Sequence, residues 1–196
     1  MPTDPDGKVL GFVEKPPRDE APTNWINAGT YVLEPSVLQR IDTGRKVSIE
    51  RETFPAIVAD GGLWAVQSDA YWVDAGTPQT YIDIQFDLID GVRGAAHKGI
   101  ADTATVADGA QIDHSVVMAG ATVEAGAVVR DSIVSTGATV AANAVVDGSI
   151  VGPGATVETG AKLTGLTMLG DGAVATAGAI LDLSLIHISE PTRHRR

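Results

Sequence analysis

The chain has 196 residues, 44% of them hydrophobic, with a formal net charge of −11 and no cysteine. That content supports one or two modest cores, and the acidity, with no basic patch to meet phosphates, argues against a nucleic-acid-binding surface. A disulfide framework and a thiolate metal site are excluded, no apolar run approaches the roughly 18–20 residues of a membrane helix, and the opening MPTDPDGKVLGF lacks a signal-peptide layout, so a cytoplasmic protein without membrane contact is expected.

Residues 1–78 alternate strand and helix signals. KVLGFVEKP reads as a strand stopped by Pro16 and Pro17, and WINAGTYVL as a second strand interrupted by Asn27. Pro35 opens a helical segment with Val37, Leu38 and Ile41 on one face. SIERETFPAIVADGG predicts a second helix, imperfectly capped at Ser48 and closed by Gly61 and Gly62. LWAVQSD and AYWVDAG read as further strands. After Pro78, QTYIDIQFDLIDGV places Tyr81, Ile84, Leu88 and Ile89 at helical spacing, a connecting helix and linker over 79–97.

Residues 98–182 repeat every seventeen positions. One column holds Val106, Val123, Val140, Val157 and Val174; a second holds Ile112, Val129, Val146, Leu163 and Ile180; a third holds Ile100, Val117, Val134, Val151 and Met168. Small residues (Ala104, Ala121, Ala138, Ala155, Gly172) precede the first column by two. Gly109, Gly126, Asn143 and Gly160 follow it by three, at turns that require positive φ. This predicts a triangular prism of short parallel strands, stacked about 4.8 Å per coil. His114 falls within the coils without an insertion, so it is expected at a solvated outward position rather than as the base of an acyltransferase. The segment 183–196 breaks the pattern. Its LSLIHISEPTR looks like an in-frame translation of a transposon-type sequencing adapter, and it is expected to lie outside the fold.

Four polar side chains, Glu14, Lys15, Asn27 and Asp74, sit on or beside apolar strands. Singly, Lys15 reads as a surface residue, Asn27 as a turn residue before Gly29 and Asp74 as a helix cap. Together they point to a polar pocket at the ends of neighbouring strands.

The ordered motifs FVEKP, NAGTYVLEP, IERETFPAIVADG and YWVDAGTP, ahead of a hexapeptide-type solenoid, resemble the sugar-1-phosphate nucleotidyltransferase family. The likeness spans nearly residues 8–182 and is strongest to the mannose-1-phosphate guanylyltransferase branch, whose outline glucose-1-phosphate thymidylyl- and adenylyltransferases share. It implies an α/β, Rossmann-like catalytic portion over 1–78 that lacks its N-terminal half, followed by a left-handed parallel β-helix. It also implies that Glu14 accepts hydrogen bonds from sugar hydroxyls and that Lys15 faces the sugar phosphate. Asn27 and Gly29 would line the sugar, and Asp74 would hold a catalytic Mg²⁺. The substrates implied are a sugar 1-phosphate and a nucleoside triphosphate, GTP by the nearest branch, with a homo-oligomer formed through the β-helix. The family's Gly-rich, Arg-bearing nucleotide signature is absent from residues 1–96, so this polypeptide alone is expected to lack turnover. A non-catalytic regulatory paralogue is the alternative.

Overall fold

The computed structural model describes residues 1–13, 16–183 and 185–186, the last two as backbone only. Two compact units divide the chain, Met1–Trp72 and Val73–Arg196.

In the first unit a 3₁₀ turn, Pro35–Arg40, starts on its proline and buries nothing. A π-helical turn, Ile49–Thr53, runs directly into helix α1, Phe54–Ala59. Gly61 ends α1 at φ +69°, where its N–H reaches Val58 O and Gly62 N–H reaches Ile57 O, a termination that a Cβ would strain. The core here is small. Phe54 is fully buried, with Val9 and Ile57 beside it in burial, and the rings of Phe12 and Tyr31 lie 5.1 and 4.7 Å from that of Phe54.

Among the described residues, the strands expected in KVLGFVEKP, WINAGTYVL, LWAVQSD and AYWVDAG do not form regular ladders. Isolated antiparallel bridges join Thr3 to Val9 and Lys8 to Trp64, and Ala65 N–H donates to Gly7 O. Val32 and Val66 are almost wholly exposed. Strand propensity is a preference for a pleated, half-covered surface, and such segments remain merely extended where no neighbouring strand supplies a ladder.

The second unit opens with helix α2, Pro78–Ile89. Thr77 caps it: its Oγ1 accepts from Thr80 N–H while its own N–H donates to Thr80 Oγ1, each at 3.1 Å. The rest is a parallel β-helix built as three five-stranded sheets, consistent with the left-handed hexapeptide coil expected. On the first face Val106 stands over Val123 and Val140 over Val157; on the second Val129 lies between Ile112 and Val146; on the third Val117, Val134 and Val151 stack. Those from the middle coils are fully buried, and Ala121, Ala138 and Ala155 fill the narrow corners between them. Each buried Val contributes about 1.5–3 kcal/mol relative to exposure.

The seventeen-residue register fails in the last coil. Val157 pairs with Ala175, Leu163 with Leu181 and Val151 with Leu169, each one residue later than the period predicts. The extra residue falls between Leu163 and Leu169, where the third corner turns through two left-handed residues, Gly165 and Leu166, at φ +62° and +63°. Val174 and Ile180, assigned to inward columns by period alone, are therefore exposed, and Met168 faces outward. The third sheet continues to Leu185–Ile186, paired with Met168–Leu169, so the ladder runs past the boundary expected at 182 and takes in two residues of the segment expected to lie outside the fold.

That third sheet is covered on both faces. Its outer residues Val116, Ile133 and Ile150 are buried together with Ile82 of α2, and Tyr81, Phe86 and Ile89 pack around them. One corner of the prism is lined by hydroxyls. Ser115 Oγ accepts from Ser132 N–H at 3.1 Å, and Ser132 Oγ from Ser149 N–H at 3.0 Å. Each of these three serines donates back to the carbonyl two residues earlier.

Candidate functional site

Asn27 begins a tight turn. Its Oδ1 accepts from Gly29 N–H at 3.1 Å, and Gly29 sits at φ +73°, a conformation that costs glycine nothing. The Asn27 amide nitrogen donates to Tyr31 Oη and, at 3.1 Å, to Glu50 Oε1. Tyr31 Oη donates to the same carboxylate oxygen at 3.1 Å. Trp72 Nε1 donates to Ala28 O at 3.1 Å, so the middle of the turn is tied as well. Trp25, Ile26, Ala28, Val66 and Trp72 border an open groove of about 320 Å³ within this unit.

Glu50 is presented by the π-helical turn, and the cap explains why the sequence signal there looks imperfect. Ser48 Oγ accepts from Arg51 N–H at 3.3 Å, and Ser48 N–H donates to Glu52 Oε1 at 3.2 Å. This is a capping box whose carboxylate arrives four residues on instead of three, because the π turn holds one more residue. Arg45 bridges Asp42 and Glu52, each at 2.8 Å. The hydrogen bond from Arg45, then that from the Ser48 N–H, holds the Glu52 carboxyl below its usual range.

The structure thus brings Asn27 and Gly29 together and adds Glu50 and Tyr31, to which the sequence reading gave no role. Glu50 is 23 residues from Asn27, and no local spacing signals that contact. Asp74 belongs to the second unit. It is exposed and does not cap α2, whose cap is Thr77; its carboxylate lies beside Gly76, 3.2 Å from where a Cβ would be. Glu14 and Lys15 lie outside the described residues, as do the tail's histidines. Among the described residues no cluster of three or more His, Asp or Glu side chains could hold a metal ion. In donor chemistry Asp74, an exposed carboxylate, would suit a hard divalent cation as one oxygen ligand.

His114 points outward, as expected, but it is engaged. Its Nδ1 lies 2.8 Å from Asp131 Oδ1 and its Nε2 3.2 Å from Asp90 Oδ2, with the Phe86 ring 4.2 Å from its own. The hydrogen bond with Asp131, then that with Asp90, raises its pKa above the usual 6.5. A histidine held between two carboxylates on a helix-to-coil contact is a tether. None of the described helices is long and apolar enough to cross a membrane.

A nucleotidyl transferase family model matches residues 1–91, and a model of the GMPPB C-terminal domain matches residues 95–189. The chain thus carries a nucleotidyl transferase segment followed by a GMPPB C-terminal domain. Among its relatives is the mannose-1-phosphate guanylyltransferase of Mycobacterium tuberculosis, 39% identical over 123 residues, 61% of this chain and 34% of that protein. The mannose-1-phosphate guanyltransferase of Emericella nidulans is 49% identical over 75 residues, 38% of this chain and 20% of that protein. Mannose-1-phosphate guanylyltransferase 1 of Arabidopsis thaliana is 37% identical over 124 residues, 57% of this chain and 34% of that protein. The chain spans about a third or less of the length of these curated relatives.

Proposed function

We propose that the chain supplies the sugar side of the catalytic domain, and the β-helix, of a mannose-1-phosphate guanylyltransferase, an enzyme that joins GMP from GTP to mannose 1-phosphate and releases pyrophosphate. The observation that carries this reading is the tandem match, nucleotidyl transferase over 1–91 and then the GMPPB C-terminal domain over 95–189. Relatives of 37–49% identity that bear the mannose-1-phosphate name accompany it.

In this reaction an oxygen of the sugar phosphate attacks the α-phosphorus of the triphosphate, a P–O bond forms, and the bond to the β-phosphate breaks. Little covalent work falls to the protein; the rate comes from alignment and from neutralising phosphate charge. The Asn27–Gly29 turn, fixed by the bond from Gly29 N–H to Asn27 Oδ1 and by that from the Asn27 amide to Glu50, lines the sugar. Glu14 accepts from the sugar hydroxyls and Lys15 faces the sugar phosphate, roles that rest on the motif likeness alone. Asp74 would hold Mg²⁺, which when bound neutralises charge on the phosphate oxygens.

The test is Asp74→Asn in the polypeptide extended to the full length of the enzymes it matches. Loss of a ligand carboxylate should lower Mg²⁺-dependent pyrophosphate release by at least about a hundredfold, roughly 2.7 kcal/mol of transition-state stabilisation. Wild-type activity in that variant would remove Asp74 from the site.

A further inference from the structure

Asn27 is the residue of the turn expected to face the sugar, yet its carboxamide is largely committed within the protein. A carboxamide offers two N–H donors and two acceptor lone pairs. Here the amide nitrogen donates to Tyr31 Oη and Glu50 Oε1, and one lone pair of Oδ1 takes the Gly29 N–H. Among the described residues, these partners leave the second Oδ1 lone pair to meet a ligand.

Which end of that amide faces which way is decided by Glu50. A carboxylate accepts and does not donate, so it must meet the nitrogen end of Asn27, and the oxygen end is then turned toward Gly29. Glu50 is itself well placed to impose this. It is half-buried in the π-helical turn, which leads into α1 at the fully buried Phe54. The Tyr31 ring, at the far end of the turn, rests on Phe54 at an interplanar angle of 66°, and its hydroxyl returns to Glu50 at 3.1 Å. One carboxylate oxygen therefore holds both ends of the 27–31 segment on the same helical element.

We propose that Glu50 is a positioning residue for the sugar subsite: it fixes the orientation of the Asn27 carboxamide and, through it, the shape of the Asn27–Gly29 turn that lines the sugar. The assignment of that turn to the sugar rests on the function proposed above; the hold of Glu50 on the turn rests on the geometry alone. Neither the motif positions nor the family match gives Glu50 this role.

The experiment uses the full chain in three forms: wild type, Glu50→Met, which keeps length and stem but lacks the carboxylate, and Glu50→Gln, whose carbonyl oxygen still accepts. Hydrogen exchange at the Gly29 amide is followed by NMR without ligand, and mannose 1-phosphate is then titrated in. Glu50→Met should speed Gly29 exchange and weaken mannose 1-phosphate binding about tenfold, the loss of one hydrogen bond to a charged group. Glu50→Gln should restore both to within about twofold, a rescue that a purely packing role would not require. Gly29 exchange unchanged in Glu50→Met would overturn the role given to Glu50. Exchange that responds, in a wild-type chain that binds no mannose 1-phosphate, would uphold the hold on the turn and overturn its assignment to the sugar.

Discussion

Thr53 Oγ1 is buried and has no hydrogen-bond partner among the described residues, while the same residue precedes the fully buried Phe54. A hydroxyl left dry and unpaired costs stability that a methyl would not. Thr53→Val is expected to stabilise the first unit by about 1 kcal/mol, read as a higher urea midpoint at unchanged slope. Ser132 is the opposite case. Fully buried, it accepts from Ser149 N–H and donates to Arg130 O, so Ser132→Ala strands a donor and an acceptor together. A loss of about 1–3 kcal/mol is expected for the β-helix, whereas an alanine at an exposed corner should change little. Neither the paired Ser132 nor the unpaired Thr53 was legible in the sequence, because the seventeen-residue column of serines carries no hydrophobic signal and Thr53 looks like any helix-entry residue. The hold of Glu50 on Asn27 was hidden for another reason: it links segments that only the tertiary fold makes neighbours.

At the scale of elements, α2 is attached to the third sheet by apolar packing and by one titratable contact. His114 meets Asp90, the residue that ends α2, and Asp131 of the next coil, with the Phe86 ring against it. An imidazolium there offsets the negative end of the helix dipole as well as the two carboxylates. Because the folded state binds the proton more tightly than the unfolded chain, with the pKa raised above 6.5, the contact's stabilisation is complete below the unfolded value. It is lost as pH rises through the folded one. With the His114 side chain 39% exposed, solvent limits the effect to about 1 kcal/mol or less. Stability measured by denaturant melts from pH 5 to 9 should therefore carry a falling component above pH 6.5, and His114→Gln should remove it; an unchanged profile in that variant would sink the assignment. The helix itself was legible through Pro78 and its spacing. The face it buries was legible in part: Tyr81 and Ile89 pack against the sheet cluster as their spacing suggests, whereas Ile82, the most buried residue of the helix, and Phe86 were not among the residues expected there.

The molecule as a whole joins two units whose sequences speak with unequal clarity. A solenoid repeats its instructions, so each coil of the β-helix restates the same pattern of branched inward residues and small corner residues, and the architecture follows from the period. The period misleads where aliphatic residues continue at the expected positions: Val174 and Ile180 keep it, but the extra residue at the Gly165–Leu166 corner turns them to solvent, and the ladder runs past 182 to Leu185–Ile186. The first unit has no such redundancy. Its apolar segments carry strand propensity, but their pairing is confined to isolated bridges, and propensity cannot say whether a neighbour is present. Its core of Val9, Phe54 and Ile57 is small beside the continuous interior of the β-helix. Thermal unfolding is accordingly expected in two steps, the Met1–Trp72 unit first; a single cooperative transition followed by tryptophan fluorescence and far-UV circular dichroism alike would contradict the unequal cores. Of the candidate residues, the turn at Asn27 and the carboxylate of Asp74 could be named from motifs, whereas the residues that hold the turn in shape could not.

The most direct measurement is pyrophosphate release by the chain extended to the full length of the enzymes it matches, assayed in parallel with GTP plus mannose 1-phosphate, dTTP plus glucose 1-phosphate, and ATP plus glucose 1-phosphate. Turnover with GTP and mannose 1-phosphate well above the other two pairs is expected. Turnover confined to a glucose 1-phosphate pair, or absent from all three, would contradict it.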